Sequence, residues 1–161
     1  MNQDEIYRLR EGAKGITPTE GITFTIIARC SGDAPLVLDR CKEVLSLVLQ
    51  PDSEEWPSNA EWRRLLPEWF VNKSAAEISH QEAERRLRLP LSERIRLSQQ
   101  WSISAFVHWF QPNERHWIWW DAEVKDINTL QIKVIAKDVP FPWAALDWLL
   151  RASGALTVEE E

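Results

Sequence analysis

The spacing of hydrophobic residues along this chain changes near Trp101. Before it, apolar residues recur three and four positions apart in several segments, the spacing of a helix with one buried face. Residues 21–29 are the exception, because apolar and polar side chains alternate there as in a strand. After Trp101, alternation recurs in three segments, 101–110, 115–124 and 130–137. The pattern predicts mainly helices first and then a three-stranded antiparallel meander over 101–137.

Capping residues and helix breakers mark the ends of the predicted helices. Ser58 and Ser79 each stand three positions before a glutamate and open a helical run, the arrangement called a capping box. Gly154 follows the last apolar run and predicts a helix end there. The predicted helices are 5–13, 36–50, the run from Ser58 that Pro67 ends, 79–89 and 143–153.

These elements predict an α+β chain that folds as one domain, 1–161. Helices, including the C-terminal helix 143–153, are expected to cover a mostly antiparallel sheet of about four strands, made of the strand near 21–29 and the meander. A length of 161 residues suits one hydrophobic core. The polar ends, 1–4 and 157–161, are expected to fray.

The first turn of the meander predicts which of its side chains share a face. Residues 111–114 suit a four-residue loop that places Phe110 opposite Arg115. In this register the inner face carries Trp101, Ile103, Ala105, Val107, Trp109, His116, Ile118, Trp120, Ala122 and Val124.

The second turn of the meander predicts a compatible register. Residues 126–128 suit a three-residue loop with Asn128 in the left-handed conformation, which places Val124 opposite Leu130. Leu130, Ile132, Val134 and Ala136 then join the inner face. Because a slip of one residue would turn this whole set toward solvent, the hydrophobic pattern supports the register.

The outer face of the predicted meander is aromatic at one end. Its polar end places Asp121 opposite Lys133. We call the other end the aromatic cluster, and it consists of Phe106, His108, Phe110, Trp117 and Trp119. A large apolar patch on a monomer usually marks an interaction site, so these seven residues form the candidate binding site. The alternative is that helix 143–153 or the N-terminal segment packs over the cluster as a second core layer.

Composition and charge narrow the choice of partner. The chain has ten tryptophans, which either build a large core or furnish a recognition surface. Its formal net charge of −6 opposes binding to nucleic acid or to an anionic membrane, whereas a basic protein partner is easier to accommodate. No apolar run reaches the ~18–20 residues of a membrane span, and the first residues lack a signal-peptide pattern. A cytoplasmic protein is therefore expected.

The sequence gives little support for catalysis or for a bound metal or cofactor. In the predicted register His108 and His116 point to opposite faces, so they cannot share an ion. Ser104 and His108 are separated by about 13 Å along a strand, too far for a hydrogen bond. No phosphate loop, nucleophile elbow or dinucleotide-binding motif is present. Cys30 and Cys41 lack metal-type spacing and are expected to be buried thiols.

A basic cluster of five arginines interrupts the acidic chain. Helical spacing favours their pairing with nearby glutamates on a solvated helix face, and a contact with an anion or with RNA is the alternative. The arginines are Arg85, Arg86, Arg88, Arg94 and Arg96, and the glutamates are Glu82, Glu84 and Glu93.

Two functional hypotheses follow from these features. The first is a non-catalytic protein-binding role, as an adaptor, inhibitor or immunity-like protein, through the outer face of the meander or the helical region 56–70. The second is a small-ligand-binding protein or enzyme with a pocket lined by the same aromatics. A flat exposed cluster would favour the first and a concave pocket the second. Complete coverage would exclude both uses of this surface.

Overall fold

The computed structural model describes residues 3–18 and 20–161. Within them the chain forms helices around one sheet, which confirms the predicted α+β class. The helices are α1 (Gln3–Glu11), α2 (Ala34–Val48), α3 (Asn59–Leu65), α4 (Glu68–Lys73), α5 (His80–Leu87), α6 (Leu91–Leu97), α7 (Ile103–His108) and α8 (Ala144–Ser153), with a 3-10 turn at Ser53–Glu55. The strands are β1 (Ile22–Arg29), β2 (Trp117–Asp126), β3 (Thr129–Ala136) and β4 (Thr157–Glu160).

The four described strands form one antiparallel sheet in the order β2-β3-β1-β4. One face of the sheet packs against α2, which in turn packs against α8. The core between them holds Val44, Leu45, Leu130, Ile132 and Val134, all without solvent exposure. Burial of this apolar layer supplies the main driving force for the fold.

The predicted helix ends are confirmed where a capping residue was present. The Ser58 and Ser79 hydroxyl groups accept hydrogen bonds from the N–H groups of Glu61 and Glu82, at 3.2 Å and 3.1 Å. Gly154 ends α8 with a φ of 125°, a backbone conformation that residues with a Cβ rarely adopt.

The prediction of a strand at 101–110 is wrong, because this segment contains helix α7. Alternation of small polar and apolar residues concealed a second, helical spacing of Ile103, Phe106, Val107 and Phe110. All four side chains are buried. The Ser102 hydroxyl accepts a 3.2 Å hydrogen bond from the Ala105 N–H and caps the helix. The predicted pairing of Phe110 with Arg115 therefore does not exist.

Two smaller predictions about the sheet also need correction. Residues 157–160 do not fray but form β4, which pairs with β1 at the edge of the sheet. Val124 lies opposite Leu130 as predicted, but Asn128 does not adopt a positive φ. Its side-chain oxygen instead accepts a 2.8 Å hydrogen bond from the Gly32 N–H, which ties the turn to the loop before α2. At the other end, Met1 and Asn2 of the expected frayed segment 1–4 lie outside the described residues.

Candidate functional site

The aromatic cluster predicted to be exposed lies in the core. Trp119 has no solvent-exposed surface and Trp117 has 4%, and Phe106 and Phe110 are also buried. The rings of Phe106 and Phe110 are 4.9 Å apart, and Phe110 contacts Trp117 edge-on at 5.9 Å. The expectation of an exposed aromatic sheet face is therefore wrong. The alternative of core packing is right for these four residues only in its general form, since they belong to the main core rather than to a second layer under helix 143–153.

A β-bulge in β2 explains why the tryptophans face inward. Trp119 pairs with Val134 and Asp121 pairs with Lys133, so Trp120 is an extra residue between them. The extra residue reverses the alternation on its N-terminal side. Trp117 and Trp119 thus share the core face with Val134, whereas Trp120 packs with Ile135 on the other face. A register predicted from strict alternation along the strand cannot include such a bulge.

Helix α1 holds the exposed edge of β2 beside this bulge. The Trp119 N–H donates a 2.7 Å hydrogen bond to the Glu5 carboxylate, and the Trp119 carbonyl accepts a 3.1 Å bond from Arg8. Glu5 is fully buried and also accepts a 2.6 Å hydrogen bond from Arg115. The Arg8 guanidinium lies 4.6 Å from the centroid of the Trp120 ring. The polar backbone of an edge strand is thereby satisfied and covered.

The remaining candidate residues lie away from the buried aromatics. His108 is exposed on α7, with its Nε2 3.9 Å from a Glu114 carboxylate oxygen. Asp121 and Lys133 are paired across β2 and β3 as predicted. The seven predicted residues therefore do not form one surface. Phe110 and Trp117 do border a cleft at one end of the sheet.

A different segment, residues 76–100, carries the two most exposed large hydrophobic side chains of the described residues, Leu87 and Leu91. We call it the arm, and it contains α5 and α6. The structure describes every residue from 71 to 102, and none of them is buried. Leu87 is 71% exposed, Leu91 is 63% exposed and Ile95 is 53% exposed. The arm therefore contributes little to the core of the molecule.

Hydrogen bonds at its base fix the arm to the rest of the chain. The Ala75 N–H donates a 2.9 Å hydrogen bond to the Trp101 carbonyl, so the two ends of the arm lie side by side. The Glu77 carboxylate accepts bonds from the N–H and the hydroxyl of Ser104, at 3.0 Å and 2.6 Å. These bonds cap the first turn of α7. The arm is consequently anchored at its ends and solvated along its length.

Ion pairs with Glu82 and Glu93 form for three of the five arginines, as predicted, whereas Glu84 pairs with His80 instead. Arg85 donates two hydrogen bonds to Glu82, at 2.8 Å and 2.7 Å, and Arg86 donates a third at 3.1 Å. Hydrogen bonds from Arg85 and Arg86 lower the pKa of the Glu82 carboxyl to about 2. Arg96 pairs with Glu93 at 2.8 Å. In the described part of the chain, Arg88 and Arg94 form no ion pair.

The sequence pattern does not mark Leu87, Leu91 and Ile95 as exposed binding residues, because apolar residues of a helix are assigned by default to the core. The available signal was local composition. From Glu82 to Arg96, eight of the residues are charged and only a narrow apolar stripe remains. Such a stripe is too narrow to anchor two helices of eight and seven residues firmly on a domain.

The cysteines and the other possible metal ligands among the described residues do not form a site. Cys30 and Cys41 are buried free thiols, and desolvation raises the pKa of each. Among residues 3–18 and 20–161, no group of three or more His, Cys, Asp or Glu side chains could hold a metal ion. The helices found there are all too short or too polar to cross a membrane. A cytoplasmic location remains a prediction from the sequence.

Comparison of the chain with protein-family models, with curated proteins and with solved structures finds no match. The functional conclusion therefore depends on the surfaces of this molecule.

Proposed function

We propose that this chain is a non-catalytic protein-binding module, acting as an adaptor or inhibitor, and that the arm is its recognition element. The observation that carries this proposal is the absence of any buried residue in the arm, all of which the structure describes. Ordering a backbone costs about 1–2 kcal/mol per residue, and helices this short are marginal in water. Burial against a partner would offset that cost.

The side chains at the tip of the arm define the chemistry of the partner. Leu91 and Ile95 are one helical turn apart on α6, so they share a face and can enter an apolar groove together. Residues 85–96 contain all five arginines of the arm but only one glutamate. Arg88 and Arg94 are available to bind carboxylates. The partner is accordingly a protein with an apolar groove bordered by acidic side chains.

The acidic partner proposed for the arm differs from the basic partner expected from the charge of the whole chain. A net charge of −6 favoured a basic partner, but the charge at the contact surface governs recognition. The same net charge still opposes nucleic acid, because a polyanion must approach the acidic remainder of the chain. The exposed anchors at the tip are aliphatic rather than aromatic, so the arm offers no platform for stacking bases.

Affinity capture with matched variants tests this proposal. Wild-type protein and the double variant Leu91→Ser/Ile95→Ser are used as baits in extracts of the source cells. Captured proteins are then purified and titrated against both baits by calorimetry. We expect a directly binding acidic protein whose affinity falls at least about tenfold in the variant, since truncation of two central anchors removes 1–2 kcal/mol or more. The exposed Ile127 provides the control substitution, Ile127→Ser, which should leave the affinity unchanged.

Three results would contradict the proposal. Equal binding by the Leu91→Ser/Ile95→Ser variant would exclude the arm as the contact. Binding of the arm only to nucleic acid or to anionic vesicles would assign it to another class of target. A dimer of this chain that the same variant dissociates would make a second copy the occupant of the arm.

A further inference from the structure

A cleft of about 890 Å³ lies at one end of the sheet, remote in sequence from the arm. It lies where the first residues of α1, the loop after α2, the segment between α7 and β2, and the segment after β3 meet. Its volume is within the range of small-molecule sites, about 300–1,000 Å³.

The floor of the cleft is aromatic and buried. Trp117, Phe110 and Phe141 line it, together with Ile135. Trp117 is oriented by its edge-on contact with Phe110 and by the Arg115 guanidinium, 5.9 Å from the centroid of the indole ring. Phe141 is supported from behind by Phe24, with ring centroids 4.6 Å apart. Only a small part of each ring is exposed, 4% of Trp117 and 9% of Phe141, so the rings give the cleft a firm apolar floor rather than an open stacking surface.

The charged side chains around the floor are mainly acidic. Asp4, Glu20, Asp52 and Asp138 line the cleft, against the cationic side chains of Arg115 and Lys137. The Arg115 charge is already balanced by buried Glu5, whose carboxylate it contacts at 2.6 Å. Lys137 is therefore the one remaining lysine or arginine in the described lining, against the carboxylates of Asp4, Glu20 and Asp138. The local potential favours a cation.

We propose that this cleft binds a small organic cation, an ammonium or guanidinium group carried on an aromatic or aliphatic body. The body packs on the floor beside Trp117 and Phe141, and the cationic group lies among the rim carboxylates. The site accommodates either a free amine or a basic residue of a short peptide. Binding of a small cation here corresponds to the second functional hypothesis, a small-ligand-binding protein. Because the cleft is separate from the arm, an experiment can contradict cation binding without contradicting protein binding by the arm, and the reverse.

Fluorine NMR of protein labelled with 5-fluorotryptophan tests the proposal with defined probes. Phenethylamine is titrated beside its neutral analogue 2-phenylethanol and the anionic 3-phenylpropionate, and the Trp117→Phe variant assigns the Trp117 resonance. We expect phenethylamine to shift the Trp117 signal while those of Trp62 and Trp148 stay in place. The other two probes should bind at least about tenfold more weakly. A capped Lys-Phe dipeptide, run in parallel, identifies a peptide source if it binds more tightly than the free amine.

Variants in which two carboxylates are replaced by amides distinguish contacts inside the cleft from the effect of the protein's net charge. Glu20→Gln/Asp138→Asn should weaken phenethylamine binding about five- to tenfold, because two carboxylates near the cation are removed. Glu84→Gln/Glu123→Gln makes the same change in net charge outside the cleft and should leave binding unchanged. Equal binding of all three probes, equal loss in both variants, or no shift of the Trp117 signal with any cation would each overturn the proposal.

Discussion

The carboxylate of Glu5 accepts a 2.7 Å hydrogen bond from the backbone N–H of Trp119, and this contact joins α1 to the edge of the sheet. Both residues are fully buried. The contact satisfies a polar group that an edge strand would otherwise expose, and it holds Trp119 in the strand segment beside the bulge. The tryptophan-rich strand is thus covered along its edge by α1 and on its inner face by the core.

Loss of the Glu5 carboxylate should destabilise the protein strongly. Glu5→Ala leaves the Trp119 N–H and the Arg115 guanidinium without their acceptor in a buried setting, which typically costs about 3–5 kcal/mol. Glu11→Ala removes an exposed glutamate from the same helix and should change the free energy of unfolding by less than about 0.5 kcal/mol. Urea denaturation measures both variants. Equal stability of the two would show that α1 does not secure the sheet edge.

Truncation of Trp119 distinguishes a core tryptophan from a recognition tryptophan. Trp119→Ala should lower the free energy of unfolding by about 3–5 kcal/mol, because it opens a cavity in the packed core. Leu91→Ala, at an exposed position of the arm, should change it by less than about 0.5 kcal/mol. Thermal and urea denaturation provide the comparison. A Trp119→Ala variant as stable as Leu91→Ala would contradict the burial of Trp119 in the core.

Local rules of the sequence predict most elements of this fold because they depend on neighbouring residues. The caps at Ser58 and Ser79 and the helix end at Gly154 are examples, since each requires only one turn of backbone. The face of β3 is likewise recoverable, because Leu130, Ile132, Val134 and Ala136 alternate without interruption.

The burial of the four Phe and Trp side chains of the aromatic cluster, and with it the floor of the cleft, could not be predicted because it depends on two features that leave ambiguous patterns. In and just after α7, residues 103, 106, 107 and 110 satisfy the helical spacing while their neighbours also alternate as in a strand. In β2, the extra residue Trp120 changes which tryptophans face the core, and its position depends on pairing with β3. Tertiary contacts decide both cases, as they also decide that Leu87 in the arm is exposed while Leu130 is buried.

The ion pairs of the arm should persist to unusually low pH. Hydrogen bonds from Arg85 and Arg86 lower the Glu82 pKa from 4.5 to about 2, so the ionised carboxylate stabilises α5. That stabilisation is fully present above the pH at which an unpaired glutamate ionises, and it is lost as the pH falls from about 4.5 through about 2. Carboxyl carbon NMR should show Glu82 titrating well below the ordinary pKa of a glutamate, 4.5. High salt should reduce the difference, because these groups are exposed.

Glu82→Gln is the matched variant for this titration. It should remove the acid transition of the α5 amide signals while leaving the core signals in place. A Glu82 pKa near 4.5 in the wild-type protein would contradict the ion-pair geometry of the arm.

The central claim, that the arm serves a partner rather than the fold, is tested most directly by its excision. Residues 79–99 are replaced with a Gly-Ser linker of about six residues, which retains the Glu77 contact with Ser104 at the base. One sample of the excised protein is then measured for both its unfolding free energy and its affinity for the purified arm-binding partner. We predict that the free energy of unfolding changes by less than about 1 kcal/mol, because no buried residue is removed, while partner binding is lost. A protein that unfolds on excision, or that keeps its partner without the arm, would contradict a partner-binding role for the arm.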